Sequence, residues 1–265
     1  MPRVVIAPED VRDRTISIRD PATLHHLVRV LHVSPGEAVE CVDGAGGRYA
    51  TRVSRRSGRE LVLDILERAA DPASKLSVWL VPALIRPERF EWLVQKATEL
   101  GVDRLSPVMT ARSVIRLRAG RAEGRLKRWR RIAQEAAQQC GRATVPRIDA
   151  PVAFQEGVLL LSSEFRVWSS ESVKPVSELR TPNSELVLLP TLAVAAVPLH
   201  EALADRPSLT SAAVLIGPEG DFTVEEVTLA QRHGAGPVSL GRRVLRSETA
   251  AIAVLAILQH AAGEV

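Results

Sequence analysis

From residue 77 onward, short apolar runs alternate with stretches whose apolar residues recur every three or four positions. Ser77–Ile85, Asp103–Met109, Glu185–Thr191 and Ala212–Ile216 read as buried strands. Pro87 opens a helix with Phe90, Leu93, Val94, Ala97 and Leu100 on one face and Gly101 just past its end. A basic helix turns Leu126, Trp129, Ile132, Ala133 and Ala136 inward. Thr223 and Glu226 form a T-x-x-E capping box, with Phe222 and Val227 placed as a hydrophobic staple. Thr249–His260 is apolar almost all round, which predicts burial in a core or an interface. Strands alternating with helices predict an α/β domain over residues 73–265.

Residues 1–72 follow a different pattern, that of a small, mainly β unit. Ala38–Val42, Tyr49–Val53 and Leu61–Leu66 are its strands, and Asp43–Gly47 is a hairpin loop. Asp20 and Pro21 start one helix, with Leu24, Leu27, Val28 and Leu31 sharing a face. Asp71–Lys75 marks the junction. Residues 151–175 fit neither pattern and read as an extra hairpin or surface loop, about 152–174.

Composition narrows the class. The chain is 46% hydrophobic and 25% charged, with a formal charge of +4, as expected of an ordinary globular protein. Cys41 and Cys140 form no spaced cluster, so neither a zinc site nor a disulfide framework is predicted, and a reducing cytoplasm fits. The most apolar tract, Leu186–Leu199, is broken by Pro190 and Pro198, so no membrane span is expected. Charge is unevenly spread. Between residues 104 and 147 twelve basic residues face only Glu123 and Glu135, a density suited to the phosphates of a folded RNA. Arg104, Arg112, Arg116, Arg118, Arg121, Arg125, Arg128, Arg131 and Arg142 belong to it. Aromatics make up only 3% of the chain, so base stacking cannot be the main grip.

The candidate chemistry lies near the C-terminus. Leu215–Val227 reads L-I-G-P-E-G-D-F-T-V-E-E-V, and Leu240–His260 begins L-G-R-R-V-L-R-S-E-T-A. Gly217 and Gly220 let main chain approach a ligand closely. G-P-E-G followed at this spacing by L-G-x-x-V-L-R-S-E-T-A resembles the bacterial 16S rRNA uracil-N3 methyltransferases of the SPOUT superfamily. K-A-T-E-L-G-V (96–102), R-W-R-R-I-A-Q-E-A-A-Q-Q-C-G-R-A-T-V-P-R-I (128–148) and H-L-V-R-V-L-H-V-S-P-G-E-A-V-E-C-V-D-G (26–44) extend the resemblance. Two positions depart from it: Ala111 replaces an acidic residue, and Asp221 replaces a second glycine.

The resemblance implies an α/β SPOUT domain with a C-terminal trefoil knot, preceded by a PUA-like β-barrel that helps to hold RNA. It implies S-adenosylmethionine as cofactor, held in a bent shape by three loops. Leu189, Pro190 and Thr191 come from the first, Gly217, Glu219 and Gly220 from the second, and Leu240, Gly241 and Leu245 from the third. Methylating uridine N3 removes a weakly acidic imide proton, and charge develops over N3 and its flanking carbonyls. Arg246 is the expected stabiliser of that charge. Glu248 is a candidate general base, or else an orienting partner for Arg246 or a helix-start carboxylate. Arg29, Arg112, Arg125, Arg128 and Arg142 are the expected RNA contacts; no metal is expected. Lys96 and Glu99 read as a helical pair. Asp221 is expected to stabilise the helix start. The partner implied is 16S rRNA within the small ribosomal subunit, and the state a cytoplasmic homodimer. Two alternatives remain: a non-catalytic RNA-binding or assembly protein on this fold, and a methyltransferase of transfer RNA.

Overall fold

The computed structural model describes residues 1–72, 74–115, 119–172, 184–204, 206 and 208–265, without the side chains of 119, 121 and 166–172. Two compact units emerge, Met1–Pro72 with Gln134–Val145, and Ala73–Ala133 with Pro146–Val265.

In the first unit, β1 (Arg3–Val5), β2 (Thr15–Ile18), β3 (Ala38–Val42), β4 (Gly47–Arg56) and β5 (Leu61–Ala70) form one sheet in the order β1-β3-β4-β5-β2. Alternate residues turn inward, so Ile16, Ile18, Val39, Cys41, Leu61 and Leu63 are buried together. Asp20 caps α1 (Pro21–His25) as expected, accepting a bond from Thr23 N at 2.7 Å. The helix then changes character: His26–Val30 is a π-turn, and His32 takes a left-handed φ of 53°. A π-turn holds more residues than an α-turn, so the expected apolar face does not persist. Leu27 is buried, but Leu31 is exposed.

In the second unit, β6 (Ser77–Pro82), β7 (Arg104–Leu105), β9 (Arg147–Ile148), β11 (Glu185–Pro190), β12 (Val197–Pro198), β13 (Ser211–Ile216) and β14 (Gly236–Ser239) form a sheet in the order β12-β14-β11-β13-β6-β7-β9. Every pairing in it is parallel. β6 and β13 are buried along their whole length, as strands covered on both faces must be. The stretch expected as one strand over 103–109 is two: β8 (Val108–Met109) leaves β7 after Ser106-Pro107 and pairs with β10 (Val152–Ala153). Proline has no N–H for the ladder, which fits the break at that point.

Helices α2 (Pro87–Glu99), α3 (Ala119–Cys140), α4 (Phe154–Ser172), α5 (Leu199–Ala204), α6 (Val224–Arg232) and α7 (Ser247–Ala261) complete the chain. In α2, Phe90, Leu93, Val94 and Ala97 are buried as expected. In α3, Trp129, Ala133 and Ala136 are buried, and Trp129 stacks on Phe90 at 4.5 Å between ring centres.

The segment expected as an extra hairpin or surface loop is helix α4 up to Ser172; residues 173 and 174 of it lie outside the described residues. Phe154, Val158, Leu161 and Phe165 recur at helical spacing and are all buried. They join the core cluster of Trp79, Val81, Leu189, Leu215 and Phe222. The helix packs against β6, β8, β13 and α6.

Arg104 is corrected too. Counted above with the surface charge, its side chain is only 4% exposed. Its guanidinium carbon lies over Trp79 at 3.7 Å from the ring centre, and the group pairs with Asp149 at 2.6 Å and Glu164 at 2.8 Å.

Candidate active site

β14, β11 and β13 are adjacent and parallel, so the loops that follow them leave the same edge of the sheet. These are the segments beginning at Thr191, Gly217 and Leu240. They enclose an open cleft with about 600 Å³ of free space, solvent at the mouth included.

Of the residues expected to hold cofactor, Pro190, Thr191, Gly217, Glu219, Leu240, Gly241 and Leu245 line this cleft. Leu189 lies in the apolar core below it, because the alternation of a strand sends neighbours to opposite faces. Gly220 stands outside the lining, and its carbonyl accepts Arg112 Nη1 at 2.7 Å. Gly217 is tightly packed: a Cβ there would meet Asp221 Oδ1 at 3.1 Å and the Phe222 ring at 3.3 Å, so those side chains would have to give by a few tenths of an ångström. Gly241 has φ of 103°, a conformation that favours glycine.

Several wall residues were not foreseen. Leu192, Val238, Arg243, Val244 and Ser247 also line the cleft. Ser247 carries the most specific signal, because its Oγ is buried and has no hydrogen-bond partner. A buried hydroxyl at the start of a helix is suited to a polar group of a ligand. Glycine-permitted backbone, apolar Leu240 and Leu245, and this hydroxyl together fit a nucleoside with a polar tail. The neighbour of Ser247 in the R-S-E-T motif was noted; the hydroxyl itself was not.

Arg246 is the N-cap of α7 and is exposed, with no side-chain capping bond. It stands between the wall residues Leu245 and Ser247 but is not itself among them. Glu248 is buried. Its Oε1 lies 3.7 Å from Arg89 Nε, and its Oε2 has no partner. Arg89 also reaches Glu219 Oε1 at 3.2 Å. It thus joins α2 to the second loop and to the start of α7. No sequence signal marks this arginine, which stands 130 positions from Glu219.

Asp221 does more than stand beside the start of α6. It takes the left-handed conformation, φ 59°, that aspartate tolerates better than most residues. Thr223 caps α6 as expected, with the capping box to Glu226 formed in full. The carboxylate of Asp221 accepts Phe222 N at 2.7 Å beside that helix start, and also the Thr191 hydroxyl at 2.9 Å and Leu192 N at 2.6 Å. At the other departure, Ala111 N donates to Glu226 Oε1 at 2.7 Å.

The basic residues are spread over both units. Arg29 is exposed, Arg125 half-buried, and Arg142 Nη2 donates to Thr144 Oγ1 at 3.1 Å. Arg112 Nη1 also reaches Phe222 O at 3.3 Å, bracing the second loop. Arg128 grips Glu91 with two bonds of 2.5 and 2.7 Å, and this holds the Glu91 carboxyl below its usual range. Arg116, Arg118 and the side chain of Arg121 lie outside the described residues. Lys96 and Glu99 form the expected helical pair at 2.9 Å. Among the described residues no cluster of His, Cys, Asp or Glu is placed to hold a metal, and no helix is long and apolar enough to cross a membrane.

A parallel sheet whose carboxyl edge carries a glycine-lined cleft, preceded in the chain by a small β unit, is the organisation that the RNA methyltransferase family models match. Residues 72–259 match the family described as RNA methyltransferase domain, residues 18–66 match the RNA methyltransferase PUA domain, and the chain belongs to this family. Within it, the similarity is to proteins named ribosomal RNA small subunit methyltransferase E. The Synechocystis protein is 32% identical over 96% of this chain and 76% of its own length. The Mycobacterium bovis protein is 32% identical over 87% of this chain and 80% of its own. A crystal structure of the Neisseria gonorrhoeae protein of that name, bound to S-adenosyl methionine, superposes with a TM-score of 0.77 at 27% identity, covering 98% of this chain and 97% of that one.

Proposed function

We propose that this protein transfers a methyl group from S-adenosylmethionine to N3 of a uridine in 16S ribosomal RNA. The observation that carries this is the meeting of the three expected loops around one cleft, with the orphan Ser247 hydroxyl in its wall. S-adenosylmethionine supplies an electrophilic methyl group on a sulfonium. The loops from Pro190, Gly217 and Leu240 bind and orient it. Leu240 and Leu245 pack on its adenine, glycines admit it to main-chain donors and acceptors, and Ser247 Oγ meets a polar atom.

The chain's other groups act on the RNA. The Arg246 guanidinium is bonded to no described residue and stands at the cleft rim, where it stabilises the negative charge that develops on the pyrimidine as N3 loses its proton. Glu248, held by Arg89 and with Oε2 unpartnered, is the candidate acceptor for that proton. Arg29, Arg125, Arg128 and Arg142 contact phosphates, and Arg112 braces the second loop as well. Residues 1–72 act as the PUA-like RNA-holding domain, and residues 73–265 as the catalytic domain. The trefoil knot that the resemblance implies would lie in the second, where the strand order β14-β11-β13 takes the chain from β13 back past β11 to β14.

The substrate is 16S rRNA in the small subunit, and the working place the cytoplasm. The functional form is a homodimer, a reading supported by Trp92 on α2 and Ile257 on α7. They are 43% and 42% exposed on helices that pack together. Light scattering that finds only monomer at micromolar concentration would exclude it. Of the two departures that favoured a non-catalytic relative, Asp221 bonds within the cleft wall, while the bond of Ala111 is made by its main-chain amide.

The test is methyl transfer in vitro. Small subunits and free 16S rRNA from cells lacking the gene are incubated with the protein and labelled S-adenosylmethionine, then digested and mapped by mass. One 3-methyluridine in at least one substrate is expected; no methylation of either would overturn the proposal.

A further inference from the structure

A single carboxylate joins two of the three loops. Asp221 Oδ2 accepts the Thr191 hydroxyl at 2.9 Å and Leu192 N at 2.6 Å, while Oδ1 accepts Phe222 N at 2.7 Å. Thr191 Oγ1 in turn accepts Ala193 N at 3.1 Å. The first loop therefore turns around a hydroxyl that the second loop holds. Without the carboxylate, Leu192 N and the Thr191 hydroxyl lose their partner, and Thr191 N→Val238 O at 3.2 Å is the remaining main-chain tie of that turn. Thr191, Leu192 and Asp221 all line the cleft. Bonds from neutral donors to an ionised acceptor are stronger than neutral pairs. A wall set before the ligand arrives also spares the ligand the cost of ordering it.

We infer that Asp221 is a positioning residue: it latches the first loop to the second and thereby sets the affinity of the cleft for the cofactor. This rests on the methyltransferase reading above. The latch acts on the shape of the wall, and the carboxylate's charge is taken up by three donors. Its loss therefore weakens S-adenosylmethionine and the neutral-sulfur product S-adenosylhomocysteine alike. Glycine is the informative replacement, because it accepts the left-handed conformation at 221 without strain.

The full chain is titrated calorimetrically with each ligand as wild type, Asp221→Gly, Thr191→Val and the double variant, with Asp221→Asn as the conservative control. Asp221→Gly is expected to raise Kd about tenfold for both ligands, from the loss of charge-assisted bonds. Thr191→Val gives a smaller rise, the double variant is no weaker than Asp221→Gly alone, and Asp221→Asn recovers part of the loss. In hydrogen exchange the Leu192 amide becomes faster in Asp221→Gly. In turnover, KM for S-adenosylmethionine rises while kcat at saturation stays within about twofold. An unchanged Kd with a faster Leu192 amide would overturn the inference, as would a loss confined to the cationic ligand. A wild type that binds neither ligand would overturn the methyltransferase reading and this inference together.

Discussion

Replacing Arg104 by methionine tests whether the second unit depends on a buried charge. The guanidinium is 4% exposed, and its partners differ: the Asp149 side chain is 19% exposed and that of Glu164 43%. Removing one member of a buried pair costs about 3–5 kcal/mol, because the other charge is stranded. Two features place this case at the low end. Glu164 can turn to water, and Asp149 keeps Ser106 Oγ at 2.6 Å and Arg147 Nε at 2.7 Å. Against them stands the lost cation–π contact with Trp79, worth about 2 kcal/mol when desolvated. The expected loss is about 3 kcal/mol, or a fall in Tm of about 6–12 °C for a unit of this size. Thermal and urea unfolding followed by circular dichroism measure it. Arg128→Met is the control: its side chain is 65% exposed, and its pair with Glu91 should matter by less than about 1 kcal/mol. If Arg104→Met were no more damaging than Arg128→Met, the buried pair would not be holding α4 and β7 to the sheet.

Two further outcomes follow from the site and from the first unit. Arg246→Ala is expected to lower kcat by about 100-fold or more while leaving the calorimetric Kd for S-adenosylmethionine unchanged; full turnover in that variant would remove Arg246 from the mechanism. Burial pushes the Cys41 thiol up to about 12, whereas Cys140 is exposed. A thiol reagent at pH 8 should thus titrate one group in the folded protein and two in denaturant, and two fast thiols in the native state would contradict the burial of Cys41.

Much of the local structure was legible in the chain. The Asp20 cap, the Thr223–Glu226 box, the inward face of α2 and the buried strands β6, β11 and β13 depend on residues within a turn or two of one another. So do the glycine loops, and Gly217 shows why: its near neighbours Asp221 and Phe222 crowd the space where a Cβ would go. Helix α4 is the exception, since the sequence reading expected a hairpin or surface loop there. Phe154, Val158, Leu161 and Phe165 carry its period, but serines and a run of leucines imitate a hairpin. Four features were decided only in three dimensions: the burial of Arg104, the bridge from Arg89 to Glu219 and Glu248, the latch from Asp221 to Thr191, and the orphan hydroxyl of Ser247. Each depends on which strands lie side by side: β14, β11 and β13 are neighbours out of chain order, and β6 pairs with β13 from far earlier in the chain. A charged residue carries the same letter whether water or a carboxylate 45 positions away solvates it, as Arg104 and Asp149 show. Propensity and periodicity are properties of neighbours along the chain. Pairing, burial and the shape of the cleft are properties of neighbours in space, and the order of strands in the sheet chooses those.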